Sequence, residues 1–169
     1  MDVYEALYTT RAMRRLKPDP IPLEVQARIL DAAIRAPNIG QGWRFLLVDD
    51  REIIGRLAPL YEAAFERLLS GYGMSIDALL AAEGDMARVA RSGIHLARNF
   101  ADVPLLLVAF GKAGESSGVY PAVWSAMLAA RAEGIGSTLT GVLQSFFPEE
   151  LSEILGVPTD EEWRCFGVV

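Results

Sequence analysis

The hydrophobic positions of this chain follow two different periods, which predicts a mixture of helices and strands. Spacing of three to four residues predicts helices over 23–36, 53–69, 76–100, 120–133 and 148–155, with a break in the third near Gly84 or Gly93. A short helix opens the chain, with Asp2 as its N-cap and Val3, Ala6 and Leu7 as its buried stripe. A continuous apolar run predicts a buried strand over 104–110, and shorter apolar patterns predict strands over 43–48, 137–143 and 163–169.

The helix over 120–133 is apolar almost all round, which is typical of a helix in the middle of a fold or at a subunit interface. The Gly and Pro positions predict loops over 38–42 and 111–118 and a helix end at Gly134. The strands and helices alternate too irregularly for a doubly wound sheet. No Gly-rich dinucleotide or triphosphate loop is present in a suitable context. The pattern therefore favours an α+β domain.

Composition narrows the classes of function. The chain has 169 residues, a net charge of -6 and 51% hydrophobic residues, which fits one globular domain with its own core. One cysteine excludes an intramolecular disulfide framework, and one histidine argues against a His-based metal site, so no metal is expected. The acidic balance argues against nucleic acid as a partner. The apolar runs are too short for a membrane span, and the N-terminus lacks a signal-peptide pattern. We expect a soluble, cytoplasmic protein.

Charge is concentrated in one basic segment, residues 11–17, which holds Arg11, Arg14, Arg15 and Lys17 and no acidic residue. Arginine offers planar paired donors that suit a phosphate group, so one interpretation is a site for a small anion. The other interpretation is a solvated loop whose arginines pair with neighbouring carboxylates. The sequence pattern alone leaves both open.

Side chains for acid, base or nucleophilic catalysis are scarce. His95 lies within a predicted helix, where a structural role is the common one, and no nucleophile motif accompanies it. Cys165 lies in an apolar strand and is interpreted as an unreactive core thiol. We therefore predict no catalytic residue and favour an enzyme whose chemistry is carried by a cofactor.

Four segments, in this order, resemble the nitroreductase family of FMN-dependent NAD(P)H oxidoreductases. They are Arg-Ala-Met-Arg-Arg at 11–15, Ala-Pro-Asn at 36–38 with Gln-Gly-Trp-Arg-Phe at 41–45, Val-Pro-Leu-Leu-Leu at 103–107, and Tyr-Pro-Ala-Val-Trp at 120–124 with Ala-Ala-Arg-Ala-Glu-Gly-Ile-Gly-Ser at 129–137. The resemblance implies a three-layer α+β fold with a central mixed sheet flanked by helices. It also implies a homodimer with FMN at the subunit interface.

The resemblance further implies a ping-pong reaction in which NAD(P)H is the electron donor and a nitroaromatic, quinone or related electrophile is the acceptor. It places Arg11 and Arg14 at the FMN phosphate, with Ala12 contributing its backbone. It places Pro37, Asn38 and Gln41 along the flavin ring, reached from the partner subunit. It places Gly134, Ile135 and Gly136 at the ring edge, where backbone donors would stabilise negative charge. Trp43 is expected to pack in the core.

Two departures from the family pattern leave alternatives open. The connection between Asn38 and Gln41 is shorter than usual, and the family's basic C-terminal arm does not follow the last predicted strand. We therefore expect a single FMN-binding domain over 1–169 without that arm. One alternative is a flavin- or deazaflavin-binding store or sensor with little turnover. Another is an interaction domain that binds no cofactor, in which the basic segment is only surface.

Overall fold

The computed structural model describes residues 1–112, 116–158 and 161–169. Within them, eight α-helices, one 3₁₀ turn and three strands follow each other along the chain. They are α1 (Val3–Thr9), α2 (Leu23–Ala33), β1 (Trp43–Val48), α3 (Arg51–Gly71), α4 (Ile76–Ala81), α5 (Asp85–Arg98), the 3₁₀ turn (Phe100–Asp102), β2 (Leu106–Gly111), α6 (Ser116–Ala132), α7 (Val142–Phe146), α8 (Pro148–Ile154) and β3 (Arg164–Val168).

The three strands form an antiparallel sheet in the order β1-β2-β3. Every residue of β2 is buried, as its uninterrupted apolar sequence predicts for a strand covered on both faces. Leu106, Val108 and Phe110 face a core built with α3, α5, α7 and α8. The alternate residues Leu107 and Ala109 face a second core built with α2 and α6. The sheet is thus the middle of three layers, as expected.

Two isolated bridges widen the sheet beyond β3. Thr140 pairs with Val168 in antiparallel sense, and Ala12 pairs with Ser137 in parallel sense. The sheet is therefore mixed only at this margin. The predicted strand over 137–143 is wrong as a continuous strand, because Val142 already begins α7 and the Ser145 amide donates to the Gly141 carbonyl in a helical turn.

The helix boundaries confirm some predictions and correct others. Asp2 caps α1 by accepting hydrogen bonds from the amides of Tyr4 and Glu5, as predicted. The predicted stripe of α1 is wrong, because Val3 and Leu7 are exposed and only Ala6 is buried. The chain breaks at Gly84, where φ is +95°. Part of the predicted loop over 111–118, residues 113–115, lies outside the described residues, and α6 already begins at Ser116.

None of the described helices is long and apolar enough to cross a membrane. The cores on both sides of the sheet share β2, so the described residues pack around one sheet. The fold brings the basic segment and the turn after α6 together at the margin of the sheet beyond β3.

Candidate functional site

The structure brings the basic segment and the turn after α6 side by side. The Met13 amide donates to the Ser137 carbonyl oxygen at 2.9 Å, next to the parallel bridge between Ala12 and Ser137. These segments lie more than 120 residues apart in sequence, yet both were predicted from sequence to contact the same cofactor. The pairing therefore joins two of the three predicted parts of the site.

Close packing holds the turn after α6 in place. Gly134 ends the helix with φ at +79°, a left-handed conformation that glycine adopts at little cost. At Gly136, an added Cβ would lie 2.5 Å from the Met13 sulfur and 3.1 Å from the Met13 Cβ. Glu133, just before the turn, is bound through both carboxylate oxygens to the Arg28 guanidinium of α2, each at 2.8 Å. Arg28 thereby lowers the pKa of Glu133.

The cations of the basic segment have no carboxylate partner in the part of the chain that the structure describes. The ion pairs found there involve Arg28, Arg35 and Arg88 instead. Arg11 donates to the neighbouring Thr10 carbonyl at 2.8 Å, and half-buried Arg14 makes no hydrogen bond to another described group. Unpaired guanidinium groups beside open backbone suit a phosphate-bearing ligand, so the interpretation as a neutralised solvated loop is not supported.

A cavity of about 500 Å³ opens where these segments meet. Gly134, Ile135 and Gly136 line it, together with Met13 and Arg15 of the basic segment. The remaining wall is mainly apolar and comes from the segment leading into α2, the approach to β2, the end of α6 and the last two residues of the chain. Its polar residues are Ser137, Thr138 and Thr140 at the sheet margin and the charged Lys17, Asp19 and Glu133. Arg11, Ala12 and Arg14 do not line this cavity. An apolar cavity with a few polar groups fits a small organic ligand.

The third predicted part of the site lies elsewhere in the chain. The loop with Pro37, Asn38 and Gln41 packs at the first turn of α6, where the Asn38 side chain lies against Gly118. The Asn38 carboxamide oxygen accepts a bond from the Gln41 amide, and Gln41 has φ at +50°. Because α6 rises about 1.5 Å per residue, Gly118 in its first turn and Ala132 at its end are about 21 Å apart. One flavin ring cannot contact both places within a single chain.

The structure adds a polar pair that the sequence did not indicate. The Tyr61 hydroxyl of α3 donates to the Thr140 hydroxyl oxygen at 3.2 Å. Burial raises the pKa of Tyr61, while the Thr140 bond and the nearby Arg14 charge act in the opposite direction. The sequence placed Tyr61 within the helix over 53–69 and Thr140 in a strand, and no motif links residues 79 positions apart.

Three single residues complete the comparison with expectation. Trp43 is 5% exposed and packs in the core, as predicted. Burial raises the pKa of the Cys165 thiol to about 12, which agrees with an unreactive thiol. His95 is half-buried on α5, and its Nδ1 lies 3.4 Å from an Arg15 guanidinium nitrogen, so it contacts the basic segment. No cluster of metal-ligating side chains occurs among the described residues.

Known proteins are similar to this chain in sequence and in fold. The chain is 29% identical over 94% of its length to an NADH dehydrogenase of Thermus thermophilus, of which it covers 81%. Its fold is similar to an oxidised iodotyrosine deiodinase bound to FMN and 3-iodo-L-tyrosine, with a TM-score of 0.75, 22% identity, and coverage of 99% and 86% of the two chains. It is also similar to an FMN-dependent nitroreductase of Mycobacterium smegmatis in complex with NADPH, with a TM-score of 0.72, 20% identity, and coverage of 98% and 84%.

The nitroreductase family model matches residues 7–169, which spans the basic segment, the sheet and the turn after α6. The fold class and the family predicted from the four sequence segments are thereby confirmed. The chain belongs to the nitroreductase family, the FMN-dependent NAD(P)H oxidoreductases that its four sequence segments resemble.

Proposed function

We propose that this protein is an FMN-dependent oxidoreductase that takes electrons from NAD(P)H and reduces nitroaromatic, quinone or related electrophilic acceptors in a ping-pong order. The observation that carries the proposal is the Met13–Ser137 hydrogen bond, which attaches the basic segment, with its unpaired and half-buried Arg14, to the turn after α6. When bound, FMN would supply the redox chemistry, accepting a hydride from one substrate and passing electrons to the next.

The residues of this chain would bind and orient the cofactor. Arg11 and Arg14 would donate to the phosphate, because guanidinium groups bind a dianionic oxygen cluster through paired donors. Ala12 would add its backbone there. Gly134, Ile135 and Gly136 would present backbone amides to the ring edge, where developing negative charge is stabilised without a titrating side chain.

We further propose that two copies of the chain complete each site. The loop with Pro37, Asn38 and Gln41 packs at Gly118, about 21 Å along α6 from its end at Ala132, so these residues would reach the ring of the partner's cofactor. Exposed apolar side chains support an interface on the same elements. Tyr120 and Trp124 of α6 are 47% and 42% exposed, and Ile39 at the loop tip is fully exposed. Exposed large apolar side chains of this kind are typical of a homodimer contact.

We also propose that residues 1–169 form a single cofactor-binding domain and that the protein is cytoplasmic. The shared central strand β2 supports one folding unit, because both cores depend on it.

Spectroscopy and kinetics of the purified protein test the function. We expect flavin absorbance or its recovery after FMN is added, a solution mass of two chains, and NAD(P)H-dependent reduction of a quinone or nitroaromatic. Parallel double-reciprocal plots at several acceptor concentrations would support the ping-pong order. Bound flavin without turnover would favour the store or sensor, and failure to bind FMN would favour an interaction domain.

A further inference from the structure

Gly118 lies in the first turn of α6, where helix propensity favours almost any other residue. The space that a side chain would need there is taken by Asn38. A Cβ added to Gly118 would overlap the Asn38 Nδ2 atom and would lie 3.2 Å from Asn38 Cγ and 3.5 Å from Asn38 Cβ. Gly55 of α3 differs, because an added Cβ meets nothing within 4 Å there. The close approach of the loop therefore explains a glycine at position 118.

The Asn38 carboxamide that packs on Gly118 also shapes the loop. Its oxygen accepts a hydrogen bond from the Gln41 amide at 2.5 Å, and the Gln41 Nε2 donates to the Asn38 carbonyl at 3.1 Å. Gln41 has φ at +50°, a left-handed conformation that is unfavourable for a residue with a side chain. The two bonds to Asn38 hold Gln41 in this conformation.

The contact with Gly118 and the bond to Gln41 cannot vary independently. The nitrogen and oxygen of a carboxamide share one plane and move together. A methyl group at position 118 would displace Nδ2, and Oδ1 would then leave the Gln41 amide. Asn38 is half-buried, so its side chain can turn outward without disturbing the core. The damage would be confined to the loop, and Gln41 would relax from its strained conformation.

We propose that Gly118 is a positioning residue of the cofactor site in the partner subunit. Its bare backbone seats the Asn38 carboxamide, which holds Gln41 in the conformation from which the loop would reach the partner's flavin ring. The inference rests on the proposed function, because that ring belongs to the FMN of a second chain. It adds Gly118 to the residues that the sequence assigned to the site.

Titration of the full chain with FMN, followed by quenching of flavin fluorescence, tests this role. In Gly118→Ala we expect the dissociation constant to rise about threefold to tenfold, the range of one neutral hydrogen bond. The melting temperature without FMN should stay at the wild-type value, because alanine favours the helix and the displaced side chain lies near the surface. A residue that only stabilised the fold would instead lower the melting temperature.

A double variant shows whether the effect passes through Asn38. Asn38→Ala removes the atoms that the new methyl group would displace and should itself weaken FMN binding. Adding Gly118→Ala to Asn38→Ala should then weaken binding no further. Gly55→Ala is the matched control, since it changes another helix glycine in open space and should leave FMN affinity unchanged.

Three outcomes would contradict these expectations. Wild-type affinity in Gly118→Ala, or losses that multiply in the double variant, would overturn the positioning role while the proposed function stands. A lowered melting temperature that persists in the double variant would place the damage in α6 itself and would also overturn the role. Wild-type protein that does not bind FMN at all would overturn the proposed function, and this inference with it.

Discussion

The Met13 amide donates to the Ser137 carbonyl oxygen at 2.9 Å, and through this bond a basic segment near the start of the chain is attached to the turn that ends α6. The two segments contribute different properties. One carries positive charge, and the other carries glycines that let backbone approach backbone. Neither property makes a cofactor site alone, so their attachment is the structural requirement on which the proposed function depends.

Gly136→Ala tests this attachment directly. The new methyl group would overlap the Met13 side chain, so we expect a loss of about 1–3 kcal/mol in the free energy of unfolding, the usual cost of overpacking. Urea denaturation measures it. Met13→Ala in the same protein should recover most of the loss because it removes the sulfur. Gly55→Ala, where an added methyl meets nothing within 4 Å, is the control and should not destabilise. Wild-type stability in Gly136→Ala would show that the contact is not tight.

Arg14→Ala tests the phosphate assignment. Loss of a charge-assisted hydrogen bond should weaken FMN binding by about 1.5–3 kcal/mol, roughly 10- to 150-fold in the dissociation constant. The affinity of wild-type protein should also fall with rising salt, and less steeply in the variant. Arg56→Ala removes an exposed arginine of α3 as a control. Equal affinities for wild type and Arg14→Ala would remove Arg14 from the phosphate site.

Subunit mixing tests the division of the site between two chains. Arg14→Ala impairs one half, and Asn38→Ala combined with Gln41→Ala impairs the other. A heterodimer of the two has one doubly impaired site and one intact site. Co-refolding equal amounts should therefore restore roughly a quarter of the wild-type activity, because half of the dimers carry one intact site of two. If both halves came from the same chain, mixing would restore nothing.

The raised pKa of Cys165 predicts how the free energy of unfolding changes in alkali. Its pKa of about 12 lies above the ordinary value of 9.0, so the thiol resists ionisation only in the folded state. Below pH 9 this residue leaves stability unchanged, and between pH 9 and 12 it lowers the free energy of unfolding by at most about 1.4 kcal/mol per pH unit. Cys165→Ala should flatten this decline in alkaline denaturation. Rapid alkylation of the native thiol at pH 8 would contradict the assignment.

The sequence predicted features that depend on local pattern. A run apolar on both faces identified β2, Asp2 identified the start of α1, and Gly134 identified the end of α6. The family segments assigned three stretches to one cofactor, and the Ala12–Ser137 bridge shows two of these stretches side by side.

Features that depend on contacts between distant residues could not be predicted from local sequence patterns. The stretch over 137–143 has the apolar content of a strand, but helical turns from Gly141 onward interrupt it. The contact of Tyr61 with Thr140 joins residues whose individual patterns indicate only a helix and a strand. The placement of the Asn38 loop at the opposite end of α6 follows from packing on Gly118, which no local pattern encodes.

The separation of the Asn38 loop from Gly134 along α6 has a thermodynamic consequence. If each cofactor is held by groups from two chains, FMN binding and chain association are linked, and each strengthens the other. Occupancy by FMN would then depend on protein concentration as well as on FMN concentration. Dilution would release cofactor and separate subunits in one coupled transition, and added FMN would restore the dimer.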